Sequence, residues 1–214
     1  MKIKKFTFNP FQENSYVLFD ETKECIIIDP GCETNSEETA LSDFIDSEGL
    51  KPIKLINTHC HIDHILGNGF VAKKYNLELE AHELELPILA GSPKWGEQYG
   101  IHCAPSPEIT KFIKEGDKIK CGNFILDVLF VPGHSPGHIA LVNHETKDVI
   151  NGDVLFAQSY GRVDLPGGNI EDLANSIINK LFKLPDDYTV YAGHMGETTI
   201  GIEKKVNPIL QYAQ

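Results

Sequence analysis

The chain has 214 residues, 41% of them hydrophobic, which suffices for a substantial buried core in a globular protein. Its formal net charge of -12 excludes the basic surface that nonspecific nucleic-acid binding requires. Five cysteines (25, 32, 60, 103 and 121), an odd number with no close pair, read as reduced thiols rather than a disulfide framework. Met1 to Phe6 run straight into a strand pattern without the apolar stretch of a signal peptide, and no segment has the length of a membrane span. These features together predict a cytoplasmic protein.

In chain order, residues 3–8, 14–20 and 24–29 read as an opening set of antiparallel strands, with turns at Glu13-Asn14 and Glu21-Thr22-Lys23. Residues 36–48 carry an amphipathic helix pattern with Leu41, Phe44 and Ile45 on one face. Lys54-Leu55-Ile56-Asn57 reads as a buried strand, and Ile65 to Tyr75 as a helix. Gly91 to Pro107, rich in Gly and Pro and holding Trp95, the only tryptophan, reads as a long irregular loop: a lid, or a segment pinned by its aromatics. His102 and Cys103 within it are too few for a metal site of their own. A second strand group is expected at 117–131, 139–143 and 147–151, followed by helix 170–183 and strand 188–191. No repeat or low-complexity segment interrupts this pattern. A single domain spanning 1–214 is expected, and periodicity by itself supports α/β or α+β.

The chemistry concentrates in Thr58-His59-Cys60-His61-Ile62-Asp63-His64. Three imidazoles and a carboxylate fall within six consecutive residues of a chain with only 9 histidines. Neutral imidazole and carboxylate are the usual ligands of zinc and similar divalent metals. The run sits between a strand and a helix, where open sheets place ligand sites. His59 and His61 share a parity and can point the same way, while Asp63 and His64 break it and can reach a second point. Further strand ends carry ligand-type residues after a glycine: Pro132-Gly133-His134, Gly152-Asp153 and Gly193-His194. Glycine there lets the backbone turn sharply towards a crowded centre.

With Ile28-Asp29-Pro30-Gly31, Pro132-Gly133-His134-Ser135-Pro136-Gly137-His138 and Gly161-Arg162-Val163-Asp164-Leu165-Pro166-Gly167-Gly168, these motifs resemble those of the metallo-β-lactamase-fold hydrolases. The Gly161 to Gly168 run narrows the resemblance to the glyoxalase II-like (hydroxyacylglutathione hydrolase-like) branch. The resemblance implies a four-layer αβ/βα sandwich. It also implies a binuclear centre of two divalent metal ions, zinc first with iron or manganese as alternatives. His59, His61 and His134 would hold one ion and Asp63, His64 and His194 the other. Asp153 would bridge both, beside a bridging water or hydroxide. Asp63, His64 and Asp153 are then the catalytic residues, acting as ligands; a base role for Asp63 is the competing reading. Asp29, Asp164 and His138 are candidate partners for the outer ring nitrogens of the ligands, and His138 is not itself a ligand. Arg162, the only arginine, stands beside Asp164; an ion pair that shapes the loop and a contact to substrate are its two readings.

The implied reaction is hydrolysis of a small-molecule thioester by the bridging hydroxide, with no nucleic-acid or membrane partner. A thiol pKa of about 8.5 lets the thiolate leave without a strong general acid. The alternative is a mononuclear-iron persulfide (sulfur) dioxygenase, for which His59, His134 and Asp153 would be the iron ligands. Leu165-Pro166-Gly167-Gly168 resembles the hydrolase side. A metal-binding protein without catalysis is disfavoured by the intact ligand set, and an antibiotic-degrading role by the thioesterase-like loop and the lack of an export signal. After His194 the chain has room for one helix. The expectation is a short form, without the C-terminal helical domain by which glyoxalase II proteins grip glutathione. Loose selectivity for the thiol half of the substrate follows as an expectation.

Overall fold

The computed structural model describes residues 1–101 and 103–212; His102, weighed above as a ligand, lies outside them. The chain forms two compact units, Met1–Ile113 with Lys120–Ile125, and Lys114–Ile119 with Leu126–Gln214.

In the first unit, β1 (Lys2–Phe8), β2 (Glu13–Phe19) and β3 (Glu24–Ile28) form an antiparallel meander. All of β2 is buried, as are Cys25 to Ile28 of β3. Glu13 and Asn14 open β2 rather than making the turn, which lies at 9–12 and closes through the Gln12 N–H donating to the Asn9 carbonyl. α1 (Asn35–Ser47) starts at a capping box formed by Thr34 and Glu37, and lays Leu41 and Ile45 into a core with Val17, Ile27 and Leu55.

β4 (Lys51–Ile56) then runs parallel to β3, with Ile28 opposite Ile56. The predicted helix from Ile65 is a 3-10 turn over Ile62–His64 followed by α2 (Asn68–Tyr75). β5 (Leu79–Ala81) extends the parallel run, and β6 (Ile109–Phe112) completes the order β1-β2-β3-β4-β5-β6.

The expected loop at 91–107 is helical in its first half. α3 (Leu86–Tyr99) contains Pro93 and stops at Gly100 in the left-handed conformation. Gly91, Pro93 and Gly96 are poor helix formers, so composition hid the element. Tertiary packing overrides propensity: the missing Cβ at Gly96 lets α3 pack closely on Ile62 and Cys103.

In the second unit, the predicted strand at 117–131 is a hairpin, β7 (Lys118–Cys121) and β8 (Phe124–Phe130), broken at Gly122 with φ 53°. β9 (Ile139–Asn143) and β10 (Asp148–Gly152) continue antiparallel. A small hairpin follows, β11 (Leu155–Phe156) and β12 (Ser159–Tyr160). α4 (Ile170–Asn179) ends earlier than expected, and Leu181–Lys183 form a separate 3-10 turn. β13 (Thr189–Ala192) pairs parallel with β10; β14 (Thr198–Thr199) is antiparallel to β13, and α5 (Ile200–Val206) follows. The sheet order is β14-β13-β10-β9-β8-β7. Val131, Val142, Val190, Leu173 and Ile177 centre this unit's core.

Candidate metal centre

In the first unit, the ligand-type residues lie beyond the carboxyl ends of neighbouring parallel strands. Asp29 follows β3 with φ 49°, and residues 57–64 follow β4. The β3–β4 register sets Asp29 beside Asn57 and Thr58. Buried Asp29 accepts the Thr58 N–H at 2.7 Å and the Asn57 side-chain amide at 3.3 Å through one oxygen. Its other oxygen accepts the Thr58 hydroxyl at 2.6 Å and the His64 Nδ1–H at 3.2 Å. With the Thr58 proton committed to Asp29, the 3.1 Å contact between Thr58 Oγ1 and His59 Nδ1 assigns that ring proton to Nδ1 as well. One carboxylate thus sets the tautomer of two imidazoles and leaves both Nε2 atoms as lone-pair donors. Donor atoms of Asp29, His59 and His64 lie within 4.8 Å of one another. The His59 ring stands 4.8 Å from His61 and 4.1 Å from His64, so the loop gathers its three imidazoles. Asp63 Oδ2 lies 3.7 Å from His64 Nε2.

In the second unit, Asp153 follows β10, His194 follows β13 and His134 follows β8, three strands of one direction. Asp153 Oδ2 lies 3.5 Å from His134 Nε2 and 3.4 Å from His194 Nε2. His134 Nδ1–H donates to the Arg162 carbonyl at 2.7 Å. Buried His138 accepts the Asp153 backbone N–H on Nε2 at 3.0 Å and contacts the Ile139 carbonyl through Nδ1 at 3.1 Å. Its hydrogen bond therefore goes to the backbone of Asp153, not to a ring nitrogen of a ligand.

Two glycines make this arrangement sterically open. A Cβ at Gly161 would collide with the Asp153 carbonyl and crowd His134 Nδ1 at 3.0 Å. Gly133, at φ 132°, lies against the backbone of Leu173 in the first turn of α4. Asn169 N–H to the Gly133 carbonyl, 2.7 Å, and Ser176 Oγ to the Pro132 carbonyl, 2.7 Å, fasten the same turn.

Arg162 and Asp164 form a bidentate pair on the surface, both hydrogen bonds 2.6 Å. The guanidinium holds the Asp164 carboxyl down at about 2. Asp164 is thereby committed to Arg162, and Arg162 reaches His134 through its carbonyl.

Sequence reasoning missed several residues around the first set. Glu13 is buried beside His64, with Oε1 3.8 Å from Nδ1. Burial pushes its carboxyl well above the usual range, against the pull of His64. Glu85 accepts the Cys60 N–H, and Asn9 donates to the Asp63 carbonyl. The turn signature Asn9-Pro10 was the only local hint; Glu85 follows a strand too short to show a period. Cys60 belongs to none of the groups of described side chains whose donor atoms converge, and burial, with Glu85 nearby, pushes its thiol far above its ordinary value.

The donor set fits a divalent metal. His64 and His134 carry their ring protons on Nδ1, so each Nε2 turns a lone pair towards a carboxylate oxygen at 3.5–3.7 Å. Two lone-pair donors facing each other repel unless a cation joins them, so the imidazoles and carboxylate of each unit suit a divalent metal.

A family model of the metallo-beta-lactamase superfamily matches residues 8–194, crossing both units. The hydroxyacylglutathione hydrolase GloC of Haemophilus influenzae is 35% identical over 98% of each chain. Two solved structures are similar over nearly the whole length. The di-iron-bound form of TTHA1623 has a TM-score of 0.87 at 33% identity, covering 97% of this chain and 100% of that one. The B3 metallo-beta-lactamase BLEG-1 has a TM-score of 0.85 at 34% identity, covering 98% and 99%. The fold is the metallo-β-lactamase fold, and the chain belongs to the metallo-β-lactamase superfamily as one of its metal-dependent hydrolases.

Proposed function

We propose that the protein is a thioesterase of glyoxalase II type, acting on small hydroxyacyl thioesters in the cytoplasm as one catalytic domain. The observation that carries this reading is the likeness to the hydroxyacylglutathione hydrolase GloC over 98% of both chains. In this reading His59, His61 and His134 would hold one metal, Asp63, His64 and His194 the other, and Asp153 would serve both. Zinc is the first candidate, and the di-iron form of TTHA1623 supports iron as an alternative. When bound, such a pair lowers the pKa of water to near neutrality and polarises the carbonyl under attack.

The chain's own contribution is orientation. Asp29, through Thr58 and directly, holds the ring protons of His59 and His64 on Nδ1 with Nε2 presented. The Arg162 carbonyl does the same for His134. Hydrolysis adds water across the acyl carbon–sulfur bond. The thiol, with a pKa of about 8.5, departs as thiolate, so no strong acid is asked of the chain.

The test pairs elemental analysis of metal-replete protein with turnover of a hydroxyacyl-glutathione thioester, a persulfide and a β-lactam. Close to two metal ions per chain and preferred thioester cleavage support the reading. One iron per chain with oxygen consumption on persulfide would establish the dioxygenase alternative instead. A β-lactam turned over faster than every thioester would replace both.

A further inference from the structure

Between β4 and α2 the metal loop has little regular backbone pairing, and two side chains from elsewhere, buried Glu85 and half-buried Asn9, hold its peptide groups. The Cys60 N–H, between His59 and His61, donates to Glu85 Oε2 at 2.7 Å. The Asp63 carbonyl accepts from Asn9 Nδ2 at 3.0 Å. The same Asn9 amide donates to the Gly31 carbonyl at 3.0 Å, tying the loop to the segment after β3.

Both clamps are anchored. Glu85 is fully buried at the end of the 3-10 turn Glu83–Glu85 that leads into α3. Asn9 has φ 52°, a conformation asparagine tolerates better than most residues. Its Oδ1 accepts the Phe11 N–H at 3.0 Å, and its own N–H donates to Glu37 Oε1 at 2.7 Å. Glu37 Oε2 meanwhile closes the capping box of α1.

We propose that Glu85 and Asn9 are positioning residues with separate territories: Glu85 sets the His59/His61 pair and Asn9 sets Asp63. Glu85 then governs one metal position and Asn9 the other. The inference rests on the ligand division proposed above. Its physical basis is that the Cys60 peptide is the hinge between two ligands of one metal. Losing its acceptor leaves a buried amide unsatisfied and frees the torsions that aim both rings. The Asp63 carbonyl plays the equivalent part for the second position. Outer contacts of this kind carry about 10–100-fold in metal affinity.

The experiment uses full-length, metal-free protein titrated with cobalt or zinc against a chromophoric chelator. Two backgrounds retain one position each: Asp63→Ala keeps the first, and His61→Ala keeps the second. Into each go Glu85→Ala, Glu85→Gln and Asn9→Asp. The last keeps the acceptor for Phe11 but removes both donated hydrogen bonds. Glu85→Ala is expected to weaken cobalt binding about 10–100-fold at the first position only, with an altered ligand-field spectrum. Glu85→Gln, whose amide oxygen still accepts from Cys60, restores the spectrum and most of the affinity. Asn9→Asp weakens the second position only. Equal losses at both positions, or an unchanged spectrum with only a lower thermal midpoint of the metal-free protein, would overturn the proposal. An equal loss in Glu85→Gln would do the same. If the two backgrounds fail to bind one ion each before any of these changes, the ligand division itself is wrong, a failure distinguishable from that of the clamps. Should Glu85→Ala not fold, the Asn9→Asp and Glu85→Gln arms decide the matter.

Discussion

Asp153 and His138 show how differently two buried polar residues of separate, hydrogen-bonded loops can matter. Asp153 places one carboxylate oxygen against both His134 and His194, whereas His138 accepts the backbone N–H of Asp153 through Nε2. Asp153→Ala is expected to reduce turnover to background and to lower metal content, because in the proposed centre its carboxylate would serve both metals. His138→Ala leaves one buried amide without its acceptor and is expected to cost about 10–100-fold in turnover while keeping metal. Steady-state kinetics with metal analysis of both variants checks this. A more damaging His138→Ala that also sheds metal would overturn the ligand assignment. At this scale the ligand-type side chains were legible from their spacing. Asp29 was legible as a partner for an outer ring nitrogen, but not which imidazole it meets: Asp29 and His64 are 35 positions apart and come together because β3 and β4 are neighbours.

Helix ends dominate the behaviour of the elements. α4 begins at Asn169, whose side-chain oxygen accepts from the N–H groups of Glu171 and Asp172, with both acidic residues favourably placed in the first turn. Asn169→Ala is expected to destabilise the protein by about 1 kcal/mol. Its backbone hydrogen bond to the Gly133 carbonyl needs no side chain, so turnover of the folded enzyme should persist. Denaturant midpoints beside activity measure this; unchanged stability would show that the cap contributes nothing. α1 was readable because its capping box and apolar period agree. α3 was not, because Gly91, Pro93 and Gly96 contradict a helix locally and close packing on Ile62 and Cys103 outweighs them. β5 and β6, of three and four residues, are too short to show alternation.

Across the whole molecule all five cysteines are free thiols. Burial pushes Cys25 and Cys121 up to about 12, and carries Cys32 and Cys60 well upward too. Only Cys103 is partly exposed. Native protein at mildly alkaline pH is therefore expected to give one promptly reacting thiol per chain, and four more after unfolding, when counted with a chromogenic disulfide. Added metal should leave the count unchanged, since no cysteine is in the proposed ligand set. Two or more fast thiols in the native state would contradict the burial described. No helix among the described residues is long and apolar enough to cross a membrane.

By itself the sequence determined what depends on neighbours in the chain. It showed the apolar strands, the amphipathic first helix, the clustered His and Asp side chains, and the glycines at turns before ligands. These local motifs also carried the resemblance to the superfamily. Only the tertiary structure decided which nitrogen of each imidazole faces outward, that Arg162 serves His134 through its carbonyl, and that Glu13, Glu85 and Asn9 surround the metal loop. The reason is physical. A tautomer or a buried hydrogen bond depends on which group lies about 3 Å away, and sheet register and helix packing set that proximity across tens of residues. Spacing along the chain carries no record of it.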